Sequence, residues 1–170
     1  MKSYRVGILG ATGMVGQRFA TLLAGHPWFD VTVLGASARS AGKPYGEAAE
    51  KRWVMPSPTP ACARDLVVMD AVADAEKIAS LVDFCFCAVD MPKDEIRALE
   101  ERYAKLECPI VSNNSAHRWT EDVPMVVPEI NPEHLAVIPH QRKRLGTGRG
   151  FIAVKSNCSL QSYVPALHPL

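Results

Sequence analysis

The stretch Gly7–Gln17, GILGATGMVGQ, decides the fold of this 170-residue chain. It starts within an apolar run, Tyr4–Leu9, that predicts a buried strand, and it leads into Gly13–Ala24, where apolar residues recur at helical spacing. Three glycines lie at the turn between strand and helix: Gly10, Gly13 and Gly16. Glycines at such a turn permit a tight bend, a close approach of the backbone to a pyrophosphate, and close packing of helix on strand. The stretch therefore predicts the first βα unit of a dinucleotide-binding fold.

The start of this first helix is expected to hold the phosphates of the cofactor. Unpaired N–H groups and the positive end of the helix dipole attract anions there. We therefore predict cofactor contacts at six residues: Gly10, Ala11, Thr12, Gly13, Met14 and Val15. The spacing is G-x-x-G-x-x-G rather than G-x-G-x-x-G, and glycines at a strand-to-helix turn can also serve the fold alone.

The rest of the chain alternates short apolar runs with helical patterns. The predicted strands are Val31–Leu34, Leu66–Met69, Phe84–Val89, Pro109–Val111 and Phe151–Val154, and the predicted helices are Ala71–Leu81 and Pro92–Leu106. The basic segment Gln141–Gly150 is interpreted as an exposed loop. A nucleic-acid patch is disfavoured because no aromatic residues interleave with its charges. The alternation predicts an α/β, Rossmann-like, doubly wound fold with a mostly parallel sheet.

Composition and charge argue against several classes of function. Hydrophobic residues make up 48% and charged residues 22%, as in ordinary soluble domains, and the formal net charge is +1. A near-neutral chain gives no reason to expect nucleic acid or an anionic membrane as a partner. No apolar run approaches the roughly 20 residues of a membrane span. The first residues lack the apolar core and cleavage site of a signal peptide, so we expect a cytoplasmic protein.

The cysteines and histidines show no metal-ligand spacing, so no metal ion is expected. The five cysteines are an odd number without a paired pattern and are interpreted as reduced thiols. The histidines His117, His134 and His140 are expected on the surface or in turns.

The end of the second strand favours NADP over NAD as the cofactor. NAD-binding folds usually place an acid there, which holds the ribose 2′-hydroxyl. Here the strand runs into GASARSAGK, Gly35–Lys43, and no acid occurs between Asp30 and Glu47. Hydroxyls and positive charges suited to a 2′-phosphate occur instead, at Ser37, Arg39, Ser40 and Lys43. An ordinary polar loop is the alternative.

Five segments together resemble one family. They are GATGMVGQ (10–17), ASARSAGKPY (36–45), SNNSAHR (112–118), VVPEIN (126–131) and SNCS (156–159). Their order is that of aspartate-semialdehyde dehydrogenases, and from Tyr4 to Leu167 the chain resembles the branch with archaeal and fungal enzymes. The resemblance implies NADP-dependent reductive dephosphorylation of aspartyl-β-phosphate to aspartate semialdehyde, which feeds lysine, threonine and methionine biosynthesis.

The resemblance also assigns roles to residues. Cys158 corresponds to the nucleophile that forms a thioester with the acyl group, and Asn157 beside it is expected to help orient that group. The apolar run before this pair and the helical pattern after it place the thiol at a helix start, which favours a thiolate. Arg118 corresponds to the arginine that binds the substrate or inorganic phosphate, and Asn114 in the same loop is expected to contact phosphate or the cofactor. A capped turn at 113–115 is the alternative for the asparagines, and Glu129 is expected to hold a loop rather than to react.

The same resemblance predicts how the chain is divided. Residues 1–155 are expected to form the NADP-binding domain, and residues 156–170 to begin an α+β catalytic and dimerisation domain that is truncated. The family's acid/base histidine, its substrate-carboxylate ligands and its homo-oligomer interface (dimer or tetramer) are then expected beyond Leu170. The chain alone is expected to be inactive. His168 lies ten residues after Cys158, about 15 Å along a helix, which is too far for proton transfer.

Two other functions stay open at this point. One is another acyl-phosphate reductase of the same architecture, such as N-acetyl-glutamyl-phosphate reductase. The other is a dinucleotide-binding module without catalysis.

Overall fold

The computed structural model describes residues 3–170, and these residues form two compact units. Unit 1 is Met1–Met91, described from residue 3, and unit 2 is Pro92–Leu170. The domain boundary expected after residue 155 stays a prediction. Within residues 3–170, no helix has both the length and the apolarity needed to cross a membrane.

Unit 1 contains four parallel strands in the order β3-β2-β1-β4. The strands are β1 (Tyr4–Leu9), β2 (Phe29–Ala36), β3 (Met69–Asp70) and β4 (Phe84–Cys87). The helices are α1 (Met14–Leu23), α2 (Tyr45–Ala49), α3 (Ala61–Arg64) and α4 (Ala75–Leu81), with a 3-10 turn at Glu50–Arg52. Because parallel strands end at the same edge of a sheet, the turns that follow β1 and β2 lie side by side.

Unit 2 contains three parallel strands in the order β5-β7-β6. The strands are β5 (Ile110–Ser112), β6 (Met125–Val126) and β7 (Ile152–Lys155). The helices are α5 (Lys93–Lys105), α6 (Ile138–Leu145) and α7 (Cys158–Leu167), with a 3-10 segment at Pro132–Val137. Parallel strands alternating with helices in both units confirm the α/β, Rossmann-like fold class.

The core of unit 1 is built on β1, as its apolar sequence predicts. Val6, Ile8 and Leu9 are fully buried. Helix α1 covers the sheet with its apolar face, and the ring of Phe19 stacks on Phe86 of β4 with centroids 4.9 Å apart. Burial of this apolar area is the main stabilising contribution, and it fixes the place where β1 ends and the glycine turn begins.

Besides the helix expected at Ala71–Leu81, which begins only at Ala75, two sequence predictions are wrong in position. The strand expected at Leu66–Met69 is only Met69–Asp70, because Val67 forms an isolated antiparallel bridge with Pro44. The segment Gln141–Gly150 is not wholly a loop, since α6 continues to Leu145.

The physical reason for the second difference is a buried polar contact. Gln141 is fully buried, and its Nε2 donates to the carbonyls of Asp122 and Ile152, both at 2.9 Å. Leu145 lies one helical turn later and is also buried. Because Gln141 and Leu145 are separated by charged residues in the sequence, the buried face of α6 leaves no apolar pattern from which a helix could be predicted.

Candidate nucleotide pocket and candidate thiol site

The turn after β1 requires glycine at two of its three glycine positions. Gly10 has φ of +84°, and a Cβ there would collide with the backbone of Ala88. A Cβ on Gly16 would collide with the Gly10 carbonyl oxygen and with the backbone of Ala11. At Gly13 the nearest atom would lie 3.4 Å away, an ordinary contact. The turn is therefore closed tightly by Gly10 and Gly16, whereas Gly13 has room.

A cleft of about 440 Å³ opens beside this turn within unit 1. Five of the predicted cofactor residues line it: Gly10, Thr12, Gly13, Ser37 and Arg39. The ends of β2 and β3 and the residues after β4 complete the lining. A cleft at the carboxyl ends of parallel strands is the usual ligand site of such folds.

The other predicted cofactor residues lie around the cleft rather than in its lining. Ala11 is buried, and Met14 and Val15 are the first two residues of α1, whose N-cap Gly13 offers no side-chain hydrogen bond. Ser40 is only 2% exposed. Lys43 is exposed, and its Nζ lies 3.9 Å from Glu47. Their contacts with a cofactor stay predictions.

Arg52 lines the cleft, and the sequence reasoning missed it. It lies in the 3-10 turn after α2, thirteen positions beyond Arg39, and its Nη2 donates to Ser40 Oγ at 3.2 Å. No local motif marks it. The only signal was a basic residue shortly after the acid-free segment at the end of β2.

The cleft also contains two acidic residues, and they differ in availability. The Oδ1 atom of Asp70, at the end of β3, accepts the N–H groups of Val72 and Ala73 at 2.8 and 2.9 Å. This oxygen therefore stabilises the turn that follows β3 and is not available to a ligand. Asp90 follows β4 and is exposed. Neither acid stands at the end of β2, where NAD-binding folds hold the ribose 2′-hydroxyl.

Two buried side chains fix the glycine turn from behind. Tyr45 is fully buried, and its hydroxyl donates to the Ala11 carbonyl at 2.9 Å. Burial raises the pKa of Tyr45, so it stays protonated and able to donate at neutral pH. Gln17 is 1% exposed, and its Nε2 donates to the Thr12 carbonyl at 3.0 Å. The turn is thus held by hydrogen bonds that water does not reach.

Unit 2 places Cys158 as the first residue of α7, with an exposed thiol. Asn157 caps the helix, since its Oδ1 accepts the Ser159 N–H at 2.9 Å and the Ser159 hydroxyl at 2.6 Å. The Cys158 thiol lies 3.7 Å from the same oxygen. His168 is at the opposite end of α7, as expected. An exposed sulfur at a helix N-terminus is placed for nucleophilic chemistry.

Two cations share the surroundings of this thiol. Arg118 Nε donates to the Lys155 carbonyl at 3.2 Å, and its Nη2 donates to the Asn113 carbonyl at 3.4 Å. Burial lowers the pKa of Lys155, as does the charge of Arg118, and Cys158 acts in the opposite direction. Sequence reasoning missed Lys155, although its place at the end of β7, three residues before the cysteine, was a usable signal.

Asn114 points toward a buried carboxylate. Its Nδ2 donates to Glu100 Oε1 at 3.3 Å, and its backbone N–H donates to Ser112 Oγ at 3.0 Å. Glu100 is fully buried, and His117 is 2% exposed but lies in a turn, one of the two places expected for it. The role of Asn114 as a phosphate ligand stays a prediction.

The loop that contains Glu129 is held by a neighbouring asparagine, and the role expected of Glu129 itself stays a prediction. Glu129 is exposed, and it is Asn131 whose side chain accepts the Val127 N–H at 2.8 Å and donates to the Met125 carbonyl at 3.0 Å. No three histidine, cysteine or acidic side chains gather as metal ligands anywhere in residues 3–170.

Comparison with known families agrees with this geometry. The family described as semialdehyde dehydrogenase, NAD binding domain, matches residues 5–138. Among curated proteins, aspartate-semialdehyde dehydrogenase of Archaeoglobus fulgidus is 44% identical over 98% of this chain and 46% of its own length. The Cryptococcus neoformans enzyme is 41% identical over 98% of this chain and 44% of its own length. The predicted resemblance is confirmed, and the chain spans about half the length of the curated relatives it matches.

Solved structures give the same result. The crystal structure of aspartate semialdehyde dehydrogenase with NADP from Candida albicans matches with a TM-score of 0.84 and 37% identity, over 99% of this chain and 46% of that one. Aspartate semialdehyde dehydrogenase II complexed with ASA from Vibrio cholerae matches with a TM-score of 0.70 and 25% identity, over 99% and 47%.

Proposed function

Because this chain belongs to the semialdehyde dehydrogenase family, we propose that it binds NADP(H) in the cleft of unit 1 and supplies Cys158 as a nucleophile. The reaction is the reductive dephosphorylation of aspartyl-β-phosphate to aspartate semialdehyde. Family membership and the relative solved with NADP support the cofactor and the reaction. The observation that carries the proposal is an exposed thiol at the first residue of α7, on a chain whose other unit holds a glycine-turn cleft.

The cleft fits a phosphorylated dinucleotide. Gly10 and Gly16 bring the backbone close to the place of a pyrophosphate, and the uncapped start of α1 presents N–H groups. Ser37 and Arg39 lie where a ribose 2′-phosphate would be held, at the end of β2. When bound, NADPH would supply the hydride that reduces the thioester on Cys158 to the aldehyde, and the S–C bond would break to return the thiolate.

The residues around Cys158 perform the acyl transfer. The thiolate sulfur attacks the acyl carbon, the S–C bond forms as the C–O bond to phosphate breaks, and phosphate leaves with the electron pair. Arg118 offers a planar guanidinium for the leaving phosphate, and Lys155 adds positive charge beside the sulfur. Asn157 fixes the start of α7 and orients the acyl group from the same side.

The finer parts of the proposal rest on the family resemblance. They are a place in lysine, threonine and methionine biosynthesis, a cytoplasmic location, and a homo-oligomeric enzyme. The inactivity expected of residues 1–170 alone also stays a prediction.

The direct test is acylation by aspartyl-β-phosphate, read by intact-mass and peptide analysis, of a protein in which residues 1–170 are joined to the second half that the family resemblance implies. We expect one aspartyl adduct on Cys158 with release of one phosphate, and no adduct in Cys158→Ala. Cys62→Ala is the matched control, because Cys62 is also exposed. An adduct on Cys62 instead, or equal acylation by N-acetyl-glutamyl-phosphate, would contradict the proposed reaction.

A further inference from the structure

Arg52 presents a second cation to the nucleotide cleft. It lines the cleft together with Arg39, and no carboxylate within residues 3–170 pairs with either guanidinium. The contact with Ser40 uses one N–H of Arg52, and a guanidinium carries five donors. Two cations without acidic partners at one cleft indicate an anionic ligand.

The position of Arg52 is set through its backbone by Gln17. The Nε2 atom of Gln17 donates to the Arg52 carbonyl at 2.8 Å, and its Oε1 accepts the Val54 N–H at 3.0 Å. The same Nε2 donates to the Thr12 carbonyl in the glycine turn. One buried amide therefore joins the turn that meets the pyrophosphate to the segment that carries Arg52.

Ser40 adds a second constraint on the Arg52 side chain. It is 2% exposed, and its N–H donates to the Ser37 carbonyl at 2.8 Å, so its backbone is tied to the residue that follows β2. The hydroxyl accepts from Arg52 Nη2. A long side chain held at both its backbone and its tip loses little further freedom when a ligand binds.

We propose that Arg52 is a second ligand of the NADP 2′-phosphate, and that Gln17 is the positioning residue that holds it there. This inference rests on the proposed function, because the ligand is the NADP of the same cleft. The preference for NADP over NAD then depends on the side-chain amide of Gln17, although this amide does not contact the 2′-phosphate.

The experiment is a fluorescence titration of the 170-residue chain with NADPH and with NADH. In Arg52→Ala we expect NADPH affinity to fall about 10- to 100-fold, as for loss of a charge-assisted hydrogen bond, with NADH affinity unchanged. Lys51→Ala is the matched control, because it removes the same charge one residue away, at a position that is exposed like Arg52 but lies outside the cleft lining. We expect it to change NADPH affinity less than about threefold, because solvent screens a charge that makes no direct contact with the ligand.

The role of Gln17 is tested by coupling. Gln17→Met should lower the ratio of NADPH affinity to NADH affinity. If Gln17 acts only through Arg52, the double variant Gln17→Met/Arg52→Ala should have the same ratio as Arg52→Ala alone. Retained NADH binding shows that the turn is folded. Ser40→Ala, which leaves the turn intact, should lower the ratio by a smaller factor, about three- to tenfold.

The outcomes separate the inference from the proposed function. If the unmodified chain binds neither nucleotide, the proposed function fails and this inference with it. If NADPH binds in preference to NADH but Arg52→Ala leaves the ratio unchanged, only the inference is overturned. If Gln17→Met lowers the ratio by the same factor with and without Arg52, the positioning role of Gln17 is wrong.

Discussion

The glycine turn of unit 1 and the start of α7 in unit 2 are both candidate sites, but the chain holds them in opposite ways. The turn has buried partners on its inner side, among them Tyr45 and Gln17. Helix α7 has no buried residue, and its start is fixed by the Asn157 cap. Substitutions at the buried partners of the glycine turn should therefore lower both stability and ligand binding. Substitutions at the exposed start of α7 should lower reactivity and leave the fold intact.

The largest effect is expected at Gly10. Gly10→Ala forces a side chain into a left-handed conformation and into the Ala88 backbone. We expect a loss of about 2–5 kcal/mol of unfolding free energy and of NADPH binding, measured by urea denaturation and titration. Gly13→Ala is the control, since its Cβ has room. Equal destabilisation by the two variants would contradict a turn closed at Gly10.

A smaller effect is expected at Tyr45. Tyr45→Phe leaves the buried Ala11 carbonyl without its side-chain donor, which should cost about 1–3 kcal/mol. NADPH affinity should fall as well, because the turn loses a support. Tyr163→Phe is the matched control, an exposed tyrosine in α7. If Tyr45→Phe is as stable as the unmodified chain in urea, the turn is not held from behind in this way.

The sequence predicts the turn better than the site around it. Strand β1 has the predicted bounds, because its buried part, residues 6–9, leaves a continuous apolar signal. Arg52 was not found, because its placement depends on a hydrogen bond between Gln17 and a backbone carbonyl 35 residues away. Such contacts leave no local pattern. Ser40 was found for its hydroxyl, but only the fold shows that this group faces Arg52.

At the start of α7 the comparison predicts a change in chemistry with little change in stability. Asn157→Ala removes the cap, which costs about 1 kcal/mol locally. Because α7 buries no residue, we expect the global unfolding midpoint to stay the same within error. The rate of Cys158 alkylation by iodoacetamide should fall, and that of Cys62 should not. If Asn157→Ala lowers the global unfolding midpoint and leaves the rate of Cys158 alkylation unchanged, the start of α7 contributes to the stability of the fold rather than to the reactivity of the thiol, contrary to this prediction.

The smallest effect is expected at Glu107, an exposed residue of unit 2 that holds a loop. The backbone N–H groups of Gly148, Gly150 and Arg149 hold the pKa of Glu107 below its ordinary value of 4.5. A carboxyl group whose pKa is lowered by folding stabilises the folded state at pH values above its ordinary pKa. This contribution is lost as the pH falls through the lowered pKa. Glu107→Gln should therefore make thermal stability less sensitive to pH below about 4.5. An unchanged acid slope in that variant would remove Glu107 from this role.

We propose NADP(H) binding in the cleft of unit 1, between the glycine turn and the segment that carries Arg52. Hydrogen–deuterium exchange of the chain with and without NADPH tests it most directly. We expect slower amide exchange at residues 10–16 and 37–52 with NADPH, and weaker protection at 37–52 with an equal concentration of NADH. Protection confined to residues outside unit 1, or equal protection of 37–52 by both nucleotides, would contradict it.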